Sequence, residues 1–225
     1  MLNSNHIASL FTIAAICIGI YLSKNKISTT NSTFYSKLLG YFLLTDELLS
    51  FVWLALNDRW TISVGLPLHM CDVCIILLGI HLLHPRQVLH EITYFWGISG
   101  ATLALFIPEF TIKNSMLWFI NYYIFHGAII FAALWSSLVL NMRPRKNILT
   151  RLILYSCLLV PTMSCLNWLL STNYMYINYP PIKSSFFLLE PPLHLLLYLL
   201  ATCISFKALD LAISKIDLST PNCKS

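Results

Sequence analysis

Seven stretches of the chain are long and apolar enough to read as transmembrane helices: 6–23, 34–56, 66–84, 87–107, 115–141, 148–171 and 191–213. A helix needs about 20 apolar residues to cross a hydrocarbon core about 30 Å thick. Inside that core every backbone N–H and C=O must be satisfied within the protein. The sequence therefore predicts an all-α fold, a polytopic membrane bundle of about seven helices. The third and fourth segments are parted only by "HLLHPRQVLHE" (81–91), where Pro85 supplies the break.

Composition leaves little room for anything else. Only 10% of the 225 residues are charged and 57% are hydrophobic, against about 25% charged in soluble domains. A separate soluble domain needs about 50 residues, and no polar stretch approaches that length, so residues 1–225 read as one membrane-embedded domain. The first segment reads as a span and not as a cleaved signal, because "MLNSNH" carries no Lys or Arg and no A-x-A site follows. The net charge of +5 does not point to nucleic acid. The basic residues lie between the spans, where they report orientation.

Seven spans assign the loops alternately to two sides. Eleven of the 14 Lys and Arg then fall on one side, and only Arg59, Lys113 and Lys183 on the other. The positive-inside rule places the N-terminus outside and the C-terminus in the cytoplasm. A bacterial cytoplasmic membrane is the expected location, and membrane lipids are the expected partners. The seven cysteines lie mostly within apolar runs, which is not the pattern of a disulfide framework.

Ionisable groups at membrane depth cost at least ~2.5 kcal/mol each on insertion scales and usually face a bundle interior or a watery cavity. This chain has Asp46 and Glu47 in the second segment, Asp72 in the third and Glu91 in the fourth. His126 follows in the fifth, and Glu190 and His194 open the seventh. For each one alone, interhelical hydrogen bonding without chemistry is an adequate explanation. The whole set in one small bundle is harder to explain that way.

The densest group is "LPLHMCDVC" (66–74), predicted to lie near the outer face with Pro67 at the first helical position. Successive helical residues rotate by about 100°. His69 and Asp72 then share one face and can hydrogen-bond, and Cys71 and Cys74 share another. His69 is badly placed to serve Cys71 as a base, so a base must come from another helix. His126 is the leading candidate, at ~16 Å from the outer end of its span against ~9 Å for Cys71. Asn121 lies one turn above His126, placed to bind a polar head group. A Cys–His pair is sufficient apparatus for acyl transfer, with the imidazole removing the thiol proton and the thiolate attacking an ester carbonyl. A helix N-terminus favours the thiolate further.

Two other chemistries fit less well. Thiol oxidoreductases relay electrons through a second cysteine pair, and the outer loops 57–65, 108–114 and 172–190 contain no cysteine. A zinc set of His69, Cys71, Cys74 and His126 conflicts with the opposed directions of His69 and Cys71. No metal or other cofactor is expected.

The order of "LPLHMCD" (66–72), "EITYFWGISG" (91–100), Pro108–Glu109, His126–Gly127 and "NYMY" (173–176) resembles a known family. It is similar to the YwaF-type bacterial integral membrane proteins, relatives of the vertebrate transmembrane protein 164 family, over about residues 40–200. The vertebrate branch is regarded as phospholipid acyltransferases using a Cys and a His, and Cys71 and His126 match that pair. The resemblance thus implies catalytic roles for Cys71 and His126. Binding or orienting roles are expected for His69, Asp72, Glu47, Glu91, Asn121, Asn173 and Glu190. Where the family tends to a Gly-Pro-Trp-Pro-Trp-like stretch, this chain reads "LEPPLHLLLY" (189–198). Glu190 and His194 there replace part of a pocket wall, so substrate choice is not carried over. Two other classes compete with a lipid acyltransferase or hydrolase. One is a proton- or ion-coupled carrier built on the membrane acids, and the other is a non-catalytic membrane protein.

Overall fold

A computed structural model describes residues 4–108, 116–179 and 193–216. Eight α-helices are present among them: α1 (Ser4–Ser23), α2 (Thr29–Leu56), α3 (Met70–Leu83), α4 (Gln87–Ile92), α5 (Ile98–Phe106), α6 (Met116–Leu138), α7 (Ile148–Leu170) and α8 (His194–Lys215). A π-helical turn, Thr93–Gly97, joins α4 to α5 in one continuous rod. The seven apolar segments thus recur as seven helical rods. Five of the rods are long and apolar enough to cross a membrane. Large side chains on their outward faces, such as Phe11 (74% exposed), Trp168 (78%) and Ile204 (69%), form the kind of surface that lipid covers.

The helix ends follow local chemistry. α2 begins earlier than its apolar run because the Ser28 side chain caps it, accepting from the Asn31 N–H at 3.3 Å. α6 stops before its apolar run does, where Leu140 N–H turns back to the Trp135 carbonyl and Asn141 takes a left-handed conformation. α7 lies between left-handed Asn147 and Ser171 and runs through Pro161, which removes one backbone hydrogen bond from its middle.

α3 departs most from the sequence expectation. Its 14 residues reach only about 21 Å, too short to cross the bilayer alone. Pro67 is not its first residue: the helix starts at Met70 with His69 as N-cap, and Pro67 sits in the irregular approach. This short helix can exist because neighbouring rods cover most of it, with Ile80 left 42% exposed. α2 lies along it, and the α4–α5 rod and α6 also pack on it. Cys74, Ile75, Leu78, Phe95, Ala101, Ile129 and Ala132 are fully buried between these elements. α1 closes over α6, and α8 docks on the rod through Phe95–Phe206 (ring centroids 5.6 Å) and the Ser99–Ser205 hydroxyl pair (2.6 Å).

Lipid provides no hydrophobic drive for helices to associate, so small residues that allow close backbone approach decide the packing. Gly40 of α2 faces Gly79 of α3, where a β-carbon on Gly40 would sit 3.0 Å from the Gly79 carbonyl oxygen. Backbone cannot move aside as a side-chain tip can. Gly40→Val is expected to force α2 and α3 apart and cost about 1–3 kcal/mol. The check is a lower midpoint in thermal unfolding followed by circular dichroism in detergent.

Candidate functional site

The end of the bundle carrying the start of α3 is built around a helix N-terminus. Asp72 accepts the His69 backbone N–H at 3.1 Å and closes a capping box with it. The expected His69–Asp72 partnership therefore exists, but it runs through the backbone and fixes the entry to α3. With Asp72 committed to the cap, Cys71 projects toward α5. A β-carbon on Gly100 would meet the Cys71 Sγ at 3.7 Å, and one on Gly97 would meet the Cys74 Sγ at 3.8 Å. Gly97 is the last residue of the π turn, an irregularity often found at functional sites.

His126 sits on α6, buried at 8% exposure. Its Nδ1 lies 2.8 Å from the Tyr122 carbonyl oxygen. A carbonyl only accepts, so Nδ1 carries the ring proton and Nε2 of the neutral ring holds the lone pair. The ring packs on Tyr122 (4.3 Å), whose hydroxyl donates to the Ala104 carbonyl of α5 at 2.6 Å. Ala104 is one turn beyond Gly100. Cys71 and the Tyr122–His126 unit therefore reach the same helix one turn apart. No hydrogen bond joins Cys71 to His126 among the described residues. Gly127 lets α1 approach closely, with Ile13 at 3.0 Å from the position of a β-carbon.

The acids and amides expected around the site are spread more widely. Glu47 and Asp46 are adjacent on α2. Asp46 Oδ2 is buried without a hydrogen-bond partner among the described residues. Asn121 donates to the Ser50 hydroxyl of α2 at 3.0 Å, which ties α6 to α2 and leaves its carbonyl for other partners. Glu190 lies outside the described residues.

Asn173 has a local task. Its Nδ2 donates to the Tyr179 carbonyl at 2.8 Å and its Oδ1 accepts from Asn178 N–H at 2.9 Å, which folds the 172–179 loop. That loop holds the approach to α3. Tyr174 is fully buried. Its hydroxyl donates to the Ile62 carbonyl and accepts the Leu66 N–H at 3.3 Å. Met175 N–H donates to His69 Nδ1 at 3.4 Å, and the His69 ring packs between Tyr174 (5.0 Å) and Tyr176 (5.1 Å). His194, fully buried at the start of α8, lies with Nε2 3.2 Å from the Tyr176 carbonyl, which fixes the proton on Nε2. A buried amide missed by the sequence reading anchors the whole loop. Asn167 of α7 donates to the Tyr174 carbonyl (2.9 Å) and accepts from Tyr174 N–H (2.7 Å) and from the Thr172 hydroxyl (3.0 Å). Its available signal was the one carboxamide side chain within the span, among hydroxyl residues and Arg151.

Glu91 is elsewhere, nine residues before Gly100 on the same rod and about 13 Å away along it. Its side chain is fully buried. Arg145 holds it with the backbone N–H (2.8 Å), Nε (2.9 Å) and Nη2 (2.7 Å). Gln87 donates at 3.2 Å, and Arg151 Nη2 lies at 3.6 Å. The Glu91 hydrogen bond raises the pKa of the exposed Arg145 guanidinium above its ordinary value. Glu91 thus secures the loop before α7 and is not brought to Cys71. Beside it is a second group missed by the sequence reading. His81 Nε2 and His90 Nδ1 converge on the Ser136 hydroxyl at 2.8 and 2.9 Å, all three residues being fully buried. The Arg86 N–H donates to His81 Nδ1, so His81 donates to Ser136 through Nε2. In the sequence both histidines look like parts of a polar turn, because their shared partner lies 55 and 46 residues away. No three His, Cys, Asp or Glu side chains are grouped to hold a metal ion among the described residues.

Among family models, that of the TMEM164 family matches residues 1–209. No curated protein and no solved structure matches the chain.

Proposed function

The chain belongs to the TMEM164 family, and from that premise we propose that it transfers or hydrolyses acyl groups of membrane phospholipids, with Cys71 as nucleophile and His126 as base. The observation that carries this reading is the fixed tautomer of His126. Its Nδ1 is committed to the Tyr122 carbonyl, so Nε2 is left as a proton acceptor on the unit that meets α5 one turn from Cys71. In the reaction, Cys71 Sγ gives its proton to His126 Nε2 and attacks the ester carbonyl. Dipoles at the start of α3 favour the thiolate and the developing oxyanion. The C–O bond breaks, the departing alcohol takes the proton from His126, and a thioester remains on Cys71. A lysolipid hydroxyl or water then attacks the thioester and frees the sulfur. Asn121, Glu47 and the His69–Asp72 cap would hold a polar head group above the reacting ester. The charge asymmetry of the loops supports placing this end of the bundle at the outer leaflet, in a bacterial cytoplasmic membrane.

The test is labelling of the purified protein with a lipid-like, thiol-reactive acyl probe, mapped by mass spectrometry. Cys157, Cys165 and Cys203 are exposed, whereas Cys71 is half-buried, so accessibility alone predicts slower labelling of Cys71. The expected result is the reverse: Cys71 labels fastest, and loses that advantage in His126→Ala. Labelling of Cys71 no faster than the exposed cysteines would overturn the proposal. The Asp46 carboxylate oxygen, buried without a partner among the described residues, would then favour a proton-coupled carrier, detectable as uptake into vesicles that is lost with Asp72→Asn.

A further inference from the structure

Cys74 has no part in the acyl-transfer scheme, yet it is fully buried against Gly97, and Cys71 lies against Gly100. The two sulfurs thus run along one strip of the α5 rod, a strip without β-carbons. We propose that Cys71 and Cys74 form a reversible disulfide when a hydroperoxide reaches the site.

Three features carry this. First, residues three apart on a helix have α-carbons about 5 Å apart, inside the 4.4–6.8 Å range of disulfides. Second, their β-carbons are about 5–6 Å apart on a regular helix, against 3.5–4.5 Å in a disulfide, so the helix must yield locally. Cys71 is the second residue of α3, where its own N–H has no intrahelical partner, so the yielding falls on the first helical bond, Val73 N–H to the His69 carbonyl (3.0 Å), and on the capping box. Third, Gly97 and Gly100 present no side chain to oppose the sulfurs as they turn toward each other. Beside the Gly97 β-carbon position lie Ile129 at 3.1 Å and Cys74 Sγ at 3.8 Å, and beside that of Gly100 lie Cys71 Sγ and Met70, both at 3.7 Å.

The chemistry balances with a peroxide as oxidant. Cys71 thiolate attacks the terminal oxygen of ROOH, the O–O bond breaks, and ROH leaves with the proton. The resulting sulfenic acid is attacked at sulfur by the Cys74 thiol, which forms the S–S bond and releases water. Two thiols are oxidised and one peroxide is reduced to alcohol and water. A thiol reductant returns both sulfurs by exchange. The bond itself requires only the geometry of α3 and α5. Its consequence, a nucleophile reversibly withdrawn from acyl transfer and protected from irreversible oxidation, rests on the reading of Cys71 given above.

The experiment uses the full chain in detergent, titrated with tert-butyl hydroperoxide, alkylated and digested for mass spectrometry. The expected product is a peptide carrying both cysteines with two hydrogens lost, unmodified by the alkylating agent and restored by dithiothreitol. In Cys74→Ser the expected product is Cys71 sulfinic acid, formed at least about tenfold faster than in the native chain. Two free thiols after excess peroxide, or Cys71 reaching the sulfinic acid equally fast with and without Cys74, would overturn the proposal. Neither readout involves lipid turnover. A failed disulfide therefore leaves the acyl-transfer reading standing, and a failed acyl transfer leaves the disulfide standing.

Discussion

Replacing Cys71 with serine is expected to abolish acyl turnover of membrane phospholipid while leaving the bundle intact. The two halves of that expectation have separate physical grounds. A hydroxyl is a far weaker nucleophile than a thiol at neutral pH, and the Nε2 lone pair of one histidine does not make up the difference. The structural change is minimal, because the Cys71 Sγ makes ordinary van der Waals contact with the Gly100 region at 3.7 Å and supports no hydrogen bond network. The unfolding midpoint should therefore stay where it is. His126→Ala should reduce turnover by about 10²–10⁴-fold, the usual worth of a positioned base. Added imidazole should restore part of that loss if the missing function is proton transfer, and none of it if the ring only packs against Tyr122. Phospholipid turnover measured with labelled acyl chains decides the matter. A Cys71→Ser protein with native turnover would end the acyl-transfer reading.

Asn167→Ala is expected to be among the most destabilising single changes in the chain. The side chain is 1% exposed, and both polar ends are committed to the 172–174 backbone and to Thr172. Truncation leaves the Tyr174 N–H and C=O buried without these partners. Each such orphan costs about 1–3 kcal/mol, so a total of about 2–6 kcal/mol is expected. Asn167→Asp keeps the acceptor for Tyr174 N–H but sets a buried carboxylate oxygen against the Tyr174 carbonyl, so its effect should be at least as large. Thermal unfolding gives the order of the two variants. Hydrogen exchange gives the location, with faster exchange expected from 172–179 and from 62–69, the segment that the Tyr174 hydroxyl and the Met175 N–H hold. Lipid turnover should fall in parallel, because His69 and the entry to α3 depend on this loop. An unchanged midpoint would mean that the loop is held by other contacts.

The two candidate catalytic residues were legible for different reasons than the groups that hold them. Cys71 and His126 stand out because ionisable and nucleophilic side chains are costly in an apolar run, and that cost is visible in one dimension. Asn167, His81, His90 and Ser136 gain their meaning from partners on other rods or loops, so their pairing is invisible until the rods are packed. Glu91 shows both sides. Its membrane position marked it as significant, but only the folded chain turns it toward Arg145 and away from Cys71.

The sequence by itself determined the class of molecule, the number of rods and nearly all their positions. Length, apolarity and backbone self-satisfaction are properties of each segment alone, and the solvent is the same for all of them. Tertiary structure decided what each segment could not decide alone: a third helix of 14 residues, a π turn in the fourth rod, and the line of Gly97 and Gly100 facing Cys74 and Cys71. A helix too short for the bilayer survives because three neighbouring rods, α2, α4–α5 and α6, pack on it. A π turn survives because α3 and α6 pack on both sides of it. Both are local costs offset by contacts with residues far away in the chain, which no local reading of the sequence contains.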